Sequence, residues 1–336
     1  MIKTIKRKDM DISCMTLGAM QLGANYGIAN KTGMPGQAES YTLLRQAFDN
    51  GVTSVDTARA YGESEERIGG FLKSNQNYKP YITTKIRVGI SAPTPGGTLL
   101  PPDKMAELEN ALSKLGDKLE KIIFDEVETS LKKLAVSRVN CIMLHRPDEM
   151  MTGGKNMSRI MGKLITKGYA DEAGVSVYLP AEAEAMMQYD EYTAIQLPMN
   201  LFDQKMIYTG VMQKLKERDC LVFVRSVFLQ GVFFLDPDNT GDPLLDEHAA
   251  PHIRTLRRLA NEESVGAAQL AISFIRDTPG VSSLVLGCET KEQVLDNINL
   301  MNGPPISGKT MEAAGLAFKN VDLASIMAVL SRPKQQ

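Results

Sequence analysis

Residues 53–73 read TSVDTARAYGESEERIGGFLK. A β-branched, apolar run stops at Asp56, a turn of small residues carries Tyr61, and a charged segment with helical spacing begins near Glu63. Strand, loop and helix follow one another without a break, with an acid at the strand end and a phenol in the loop. Two readings are open at this point. Either Asp56 caps the following turn and Tyr61 packs as an ordinary aromatic, or both side chains point into a pocket.

The same strand-then-helix unit recurs along the chain. Apolar runs at 14–22, 52–56, 81–85, 139–144, 170–177, 193–197, 220–227 and 282–287 predict strands. Helical patterns at 38–51, 64–73, 119–134, 158–168, 180–188, 211–219, 251–262, 266–277 and 291–301 alternate with them. Gly51 suits a C-terminal cap and Pro180 a first helical turn. The strands are apolar on both faces, as in a parallel sheet covered by helices. About eight such units in series predict an α/β fold, a (β/α)8 TIM barrel, with its active site at the C-terminal strand ends. A doubly wound sheet is the alternative, but no GxGxxG opens a helix after the first strand. The stretch 89–121, rich in Pro, Gly and Thr at its start, predicts a long loop over the barrel mouth and an added helix. From Gly303 the repeat gives way to a tail containing VDLASIMAVL. One domain over 1–336 is expected, with the barrel core at about 12–302 and the tail at 303–336.

Composition narrows the partners. The chain has 336 residues, 43% apolar and 23% charged, with net charge −2 and pI near 6.0. That balance steers it to neither nucleic acid nor an anionic membrane. The basic start lacks the apolar run of a signal peptide, and no stretch approaches the length of a membrane span, so a cytoplasmic protein is expected. Cys14, Cys141, Cys220 and Cys288 are scattered without CxxC spacing and read as free thiols. Nineteen methionines and no tryptophan suit core filling. His248 and His252 are spaced as helical metal ligands could be, but Pro251 interrupts the turn, and a solvated surface pair is expected; no metal site is expected.

The barrel rule says where chemistry should lie. Asp56, Lys85 and His145 end the second, third and fourth strands, and Tyr61 sits in the loop after the second. Singly, each has an ordinary reading: a cap, a packed aromatic, a surface cation, a core histidine. Together they suit proton delivery. A phenol is a weak acid near neutrality, and a lysine ammonium beside it favours the phenolate. An aspartate holds the lysine in place, and a histidine orients a carbonyl oxygen. Such a set protonates an oxygen as hydride reaches the adjacent carbon.

VDTARAYGESEERIGGFLK, TTK (83–85) and LHRPD (144–148) resemble the motifs of the aldo-keto reductase superfamily, and the likeness runs over residues 10–301. The resemblance implies a catalytic tetrad of Asp56, Tyr61, Lys85 and His145, with Tyr61 the general acid. It also implies a nicotinamide cofactor. GVSVY (174–178) and IQLPMN (195–200) place Ser176 and Gln196 at the carboxamide, although Val177 stands where the family has Asn. VRSVFLQG (224–231) places Ser226 near the pyrophosphate and puts Arg225 where an aromatic stacks on the nicotinamide. LGCETKEQVLDN (286–297) resembles the cofactor clamp, with Gly287, Gln293 and Asn297 in matching positions. Glu289 lies where a cation usually grips the 2′-phosphate, with Lys291 nearby. NADP(H) is implied, and NAD(H) is the alternative. The expected substrate is a small carbonyl compound, and the low aromatic content favours a polar one, such as a sugar or keto-sugar, over a flat aromatic, with Tyr26 as a pocket wall. Two other functions fit the same residues: a lyase or isomerase using the Tyr–Lys pair for proton abstraction, and a cofactor-sensing regulatory barrel.

Overall fold

The computed structural model describes residues 2–25, 33–89 and 99–332. The chain starts with an antiparallel hairpin, β1 (Thr4–Arg7) and β2 (Met10–Ser13), with Thr4 opposite Ser13 and Arg7 opposite Met10. It escapes the strand pattern because TIKR and MDIS are only four residues each, with Ile5, Met10 and Ile12 their only apolar residues. Its role is to plug the barrel floor: Ile12 is fully buried among Tyr81, Cys141, Leu221 and Phe223.

Eight parallel strands then close into a barrel: β3 (Met15–Gly18), β4 (Ser54–Asp56), β5 (Tyr81–Ile86), β6 (Val139–Leu144), β7 (Ala170–Ser176), β8 (Tyr192–Pro198), β9 (Leu221–Arg225) and β10 (Ser283–Gly287). Each pairs with its neighbours in sequence, and β10 closes the ring on β3 through Leu284–Met15 and Gly287–Gly18. The first expected strand, 14–22, ends early. At Gly18 the ladder with Asp56 and Gly287 stops, Ala19 N donates to Asp56 O (2.9 Å), and a short helix α1 (Met20–Gly23) follows. An apolar run does not distinguish a strand from a buried helical turn.

The outer layer comprises α2 (Gln37–Asp49), α3 (Ser64–Ser74), α4 (Pro102–Leu115), α5 (Lys118–Leu134), α6 (Pro147–Thr166), α7 (Pro180–Met186), α8 (Lys205–Tyr208), α9 (Val211–Glu217), α10 (Pro243–His248), α11 (Ala250–Glu262), α12 (Ala267–Arg276) and α13 (Lys291–Met301). α4 is the added helix expected after the third strand, packed on α5 and α6. Part of the loop before it, 90–98, lies outside the described residues. α6 begins well before the expected 158. Pro147 starts it, and a kink at Gly154 (φ 48°) carries it through the glycine pair that masked its period.

The tail folds back as α14 (Gly308–Ala317), against α11, and α15 (Leu323–Leu330), against α10. Phe318 packs on Phe202, and His252 lies edge-on to both rings. His248 Nδ1 is 3.5 Å from Asp322. The two histidines are therefore half-buried in the joint between tail and barrel, not a solvated pair. Among the described residues no helix is long and apolar enough to cross a membrane, and no group of three or more His, Cys, Asp or Glu is arranged for a metal.

Candidate active site

Strand alternation selects what enters the barrel. On β5, Ile82 and Ile86 pack against the helices, while Tyr81 packs inside. The same parity turns Thr83 and Lys85 inward. On β6, Ile142 and Leu144 face out and Cys141 and Met143 face in, which carries His145 inward at the strand end. The rule also puts Asp56, Ser176, Gln196, Arg225 and Gly287 on the inner face of the C-terminal rim, at the ends of β4, β7, β8, β9 and β10.

Asp56 is not a helix cap. Its Oδ1 and Oδ2 accept from Lys85 Nζ at 2.7 and 2.8 Å, and Gln196 Nε2 donates to Oδ1 at 2.8 Å. Glu63 occupies the N-cap of α3 and makes no side-chain cap bond. Lys85 is completely buried and also donates to the Thr57 carbonyl (2.9 Å), so its charge is fully hydrogen-bonded. The lysine lies beneath the cavity and not on its rim.

Backbone contact fixes the turn that carries Tyr61. A Cβ on Gly23 would lie 1.8 Å from the Tyr61 carbonyl oxygen, and one on Gly62 would lie 2.1 Å from the Gly23 oxygen. Gly62 also has φ +54°, so both positions require glycine. Ser64 N donates to Tyr61 O (3.0 Å), and Ser64 Oγ to Ala19 O (2.8 Å), tying this turn to the end of β3. The Tyr61 ring then lies edge-on to His145 with centroids 5.6 Å apart, and Lys85 Nζ is 5.0 Å from the phenol centroid.

Burial pushes the Tyr61 phenol up from its ordinary pKa, and the Lys85 ammonium pulls the other way without prevailing. The expected lowering by lysine is thus outweighed by desolvation, and the phenol holds its proton at neutral pH. Burial works against charge on Lys85 too, but Asp56 and Tyr61 overcome it and its pKa is raised. His145 is pushed well below the ordinary histidine value by burial and by Lys85, Arg87, Arg225 and Arg146. It is neutral, and its buried Nδ1 has no hydrogen-bond partner among the described residues. A proton on Nδ1 would be stranded, so the favoured tautomer carries it on Nε2.

These groups border a cavity of about 650 Å³. Asp56, Tyr61, His145, Ser176, Gln196, Arg225, Ser226, Gly287, Glu289, Gln293 and Asn297 all line it. Tyr26 lies outside the described residues. Several groups have internal partners. Arg225 lies over the Tyr178 ring (4.5 Å) and donates to Val177 O (3.1 Å). Gln293 Oε1 accepts from Glu289 N (2.7 Å), and Asn297 Nδ2 donates to Cys288 Sγ (3.2 Å). Ser226 has φ +62°, which marks a sharp turn after β9.

Arg87 and Tyr178 also line the cavity and were not singled out by the sequence reading. Each lies two residues beyond an inward side chain, Lys85 and Ser176, so extending the alternation past the strand end would have found them. Gln21, beside Gly287, gave no such signal. A groove of about 700 Å³ lies at the opposite barrel end, where Arg7 pairs with Glu172 (2.7 Å) and Lys163 with Glu120 (2.6 Å). Its charges are largely satisfied among themselves, and none of the candidate residues reaches it.

Glu149, in the first turn of α6, holds the exit of β5. Its Oε1 accepts from Val88 N (3.0 Å) and Gly89 N (3.3 Å), while Oε2 has no partner among the described residues. Burial pushes its pKa up to about 7 despite these amide bonds. A raised acid favours the folded state while protonated, so that stability is lost as pH rises from about 4.5 through about 7. The loss should approach ~3 kcal/mol. Thermal unfolding at several pH values should show it, and Glu149→Gln should flatten the slope over that window; an unchanged slope would rule out this carboxylate as its source.

A phenol and an imidazole at the C-terminal rim of a parallel barrel, with an ammonium buried beneath them, equip it for proton-coupled carbonyl chemistry, the work of a barrel oxidoreductase. Residues 14–314 match the aldo/keto reductase family, and the chain belongs to that family. It is a nicotinamide-dependent oxidoreductase. It is 22% identical to the L-glyceraldehyde 3-phosphate reductase of Escherichia coli K12 over 89% of this chain and 88% of that protein. A glycerol dehydrogenase from Gluconobacter oxydans superposes with TM-score 0.69, at 19% identity and 94% coverage of each chain. An aldo/keto reductase from Klebsiella pneumoniae, solved with NADP and acetate, gives 0.67 at 17% identity, covering 96% of this chain and 97% of that one.

Proposed function

We propose that this protein reduces a small, polar aldehyde or ketone to an alcohol, with NADP(H) as cofactor and Tyr61 as the proton donor. The observation that carries the reading is the convergence of the Asp56–Lys85 pair, Tyr61 and neutral His145 on one cavity. The substrate carbonyl oxygen accepts from the Tyr61 hydroxyl and from His145 Nε2. Bound nicotinamide supplies the hydride to the carbonyl carbon. Tyr61 releases its proton to the oxygen, and Lys85, held by Asp56, stabilises the phenolate left behind.

The residues present suit such a cofactor. Gly18 and Gly287 face each other in register at the barrel rim, and the Gln21 amide lies against Gly287, where a Cβ would be 2.4 Å from it. Gln196 gives its Nε2 to Asp56, which leaves its carbonyl oxygen to accept from a carboxamide. Ser176 lines the same end, and Gln293 and Asn297 the other. NADP(H) over NAD(H) is supported by the Klebsiella protein solved with NADP, and a polar substrate by the names of the E. coli and Gluconobacter relatives. Glu289 opposes a 2′-phosphate electrostatically.

Cofactor oxidation measured against a panel of carbonyl compounds tests the activity; no turnover of any small polar aldehyde or ketone would refute it. Fluorescence titration of NADPH against NADH tests the cofactor choice. Glu289→Arg should raise the preference for NADPH by about tenfold, and an unchanged ratio would remove Glu289 from the phosphate site.

A further inference from the structure

We propose that Arg225 makes the site discriminate between the two oxidation states of its nicotinamide cofactor, accepting the neutral reduced ring and disfavouring the cationic oxidised one, so that the protein works in the reductive direction. The inference rests on the carbonyl-reductase reading above and gives that reading a direction.

Arg225 ends β9 and lines the cavity that Tyr61 and His145 border. Its guanidinium is fixed by two contacts: it lies over the Tyr178 ring at 4.5 Å and donates to Val177 O at 3.1 Å. Among the described residues no carboxylate forms an ion pair with it. Glu182 lies within electrostatic reach, but its Oε2 accepts from the Tyr178 and Leu179 amides at 2.6 and 2.9 Å. The Asp56 carboxylate is taken by Lys85 and Gln196, and Asp148 is held by Arg146 at 3.1 Å. The other lining carboxylates, Glu289 and Asp296, belong to the β10–α13 end. The positive charge of Arg225 reaches the reacting groups. Burial raises the Tyr61 phenol, and Lys85 and Arg225 oppose it. Burial lowers His145, and Lys85, Arg87, Arg225 and Arg146 push it the same way.

A carbonyl held by Tyr61 and His145 fixes where the hydride must arrive. Reacting atoms have to stand roughly 3–3.5 Å apart, so the nicotinamide occupies the end of the cavity that Arg225 lines. Bound cofactor covers the guanidinium and excludes the water that screened its charge. The reduced ring is neutral and meets no repulsion. The oxidised ring carries a positive charge, and a guanidinium cannot shed its proton to relieve the clash. At neutral pH Tyr61 keeps its own proton, so no phenolate compensates in the binary complex. The equilibrium between free carbonyl and free alcohol is untouched. What shifts is occupancy: the reduced cofactor is captured from a mixed pool, and the oxidised one leaves readily after turnover.

The test is a calorimetric titration of NADPH, NADP⁺, NADH and NAD⁺ at neutral pH into the wild type, Arg225→Gln and Arg225→Lys. ADP-ribose and its 2′-phosphate serve as probes that lack the ring, and melting temperatures confirm each fold. The members of a redox pair differ only at the nicotinamide, so their Kd ratio reports that end alone. The reduced member should bind about 10- to 100-fold more tightly. Each tenfold raises the two-electron potential of the bound couple by about 30 mV. Arg225→Gln should bring the ratio close to unity, chiefly by tighter binding of the oxidised form, while Arg225→Lys, which keeps the charge, should retain most of it. The ringless probes should bind all three proteins alike. Equal Kd values for the two oxidation states, a ratio that survives in Arg225→Gln, or a parallel change in binding of the ringless probes overturns the discrimination and leaves the reductase reading intact. Binding of none of the four dinucleotides refutes the cofactor itself, and both readings fall with it.

Discussion

Tyr61→Phe is expected to abolish carbonyl reduction, lowering kcat by about 10²–10⁴-fold, with cofactor affinity nearly unchanged. The substitution removes one oxygen and keeps the ring that packs edge-on to His145. The turn is held by backbone atoms of Gly23, Gly62 and Ser64, so the fold has no reason to respond. What disappears is the phenolic proton beside the buried Lys85. Single-turnover reduction and NADPH titration on the same preparation separate the two effects. Reduction at the wild-type rate would show that the proton comes from elsewhere, and a large loss of cofactor affinity would show that Tyr61 acts through binding.

The second large effect is expected at the ion pair beneath the cavity. Lys85 is fully buried, and Asp56 supplies two of its three acceptors. Asp56→Ala leaves the ammonium without its counter-ion, and removing one partner of a buried pair costs about 3–5 kcal/mol. Gln196 Nε2 loses its acceptor in the same step. Replacing both charges, as in Asp56→Asn with Lys85→Met, should restore much of that stability, because no unpaired charge is then buried. Activity should not return, since the phenolate formed at Tyr61 has no cation beside it. Chemical denaturation and kcat measured on the single and double variants would reveal the divergence. Recovery of both stability and turnover in the double variant would reduce the pair to a structural role.

Much of this was legible before any coordinates. Asp56, Lys85 and His145 each end an apolar run, and the barrel rule then brings those runs to one rim. The strands at 81–85 and 139–144 were readable within a residue of where β5 and β6 lie, because both are short, apolar and bounded by clear turns. The hairpin of β1 and β2 was not, since two four-residue runs with only Ile5, Met10 and Ile12 apolar are too short to establish a period. The early start of α6 was hidden by Gly153 and Gly154, and α1 by its apolar composition.

The division follows the range of the forces involved. Alternation, helical period and capping act over a few residues, so the chain itself determined the βα series, the barrel and which strand ends carry titratable groups. Charge balance and desolvation depend on neighbours distant in sequence. Only the tertiary structure decided that Asp56 turns to Lys85 and not to a helix end, and that burial outweighs lysine at the Tyr61 phenol. It alone set Arg225 on Tyr178 and left Arg87 facing the same cavity without a described partner. Those outcomes are sums over groups that the fold brings within a few ångströms, and no local pattern in the sequence encodes such a sum.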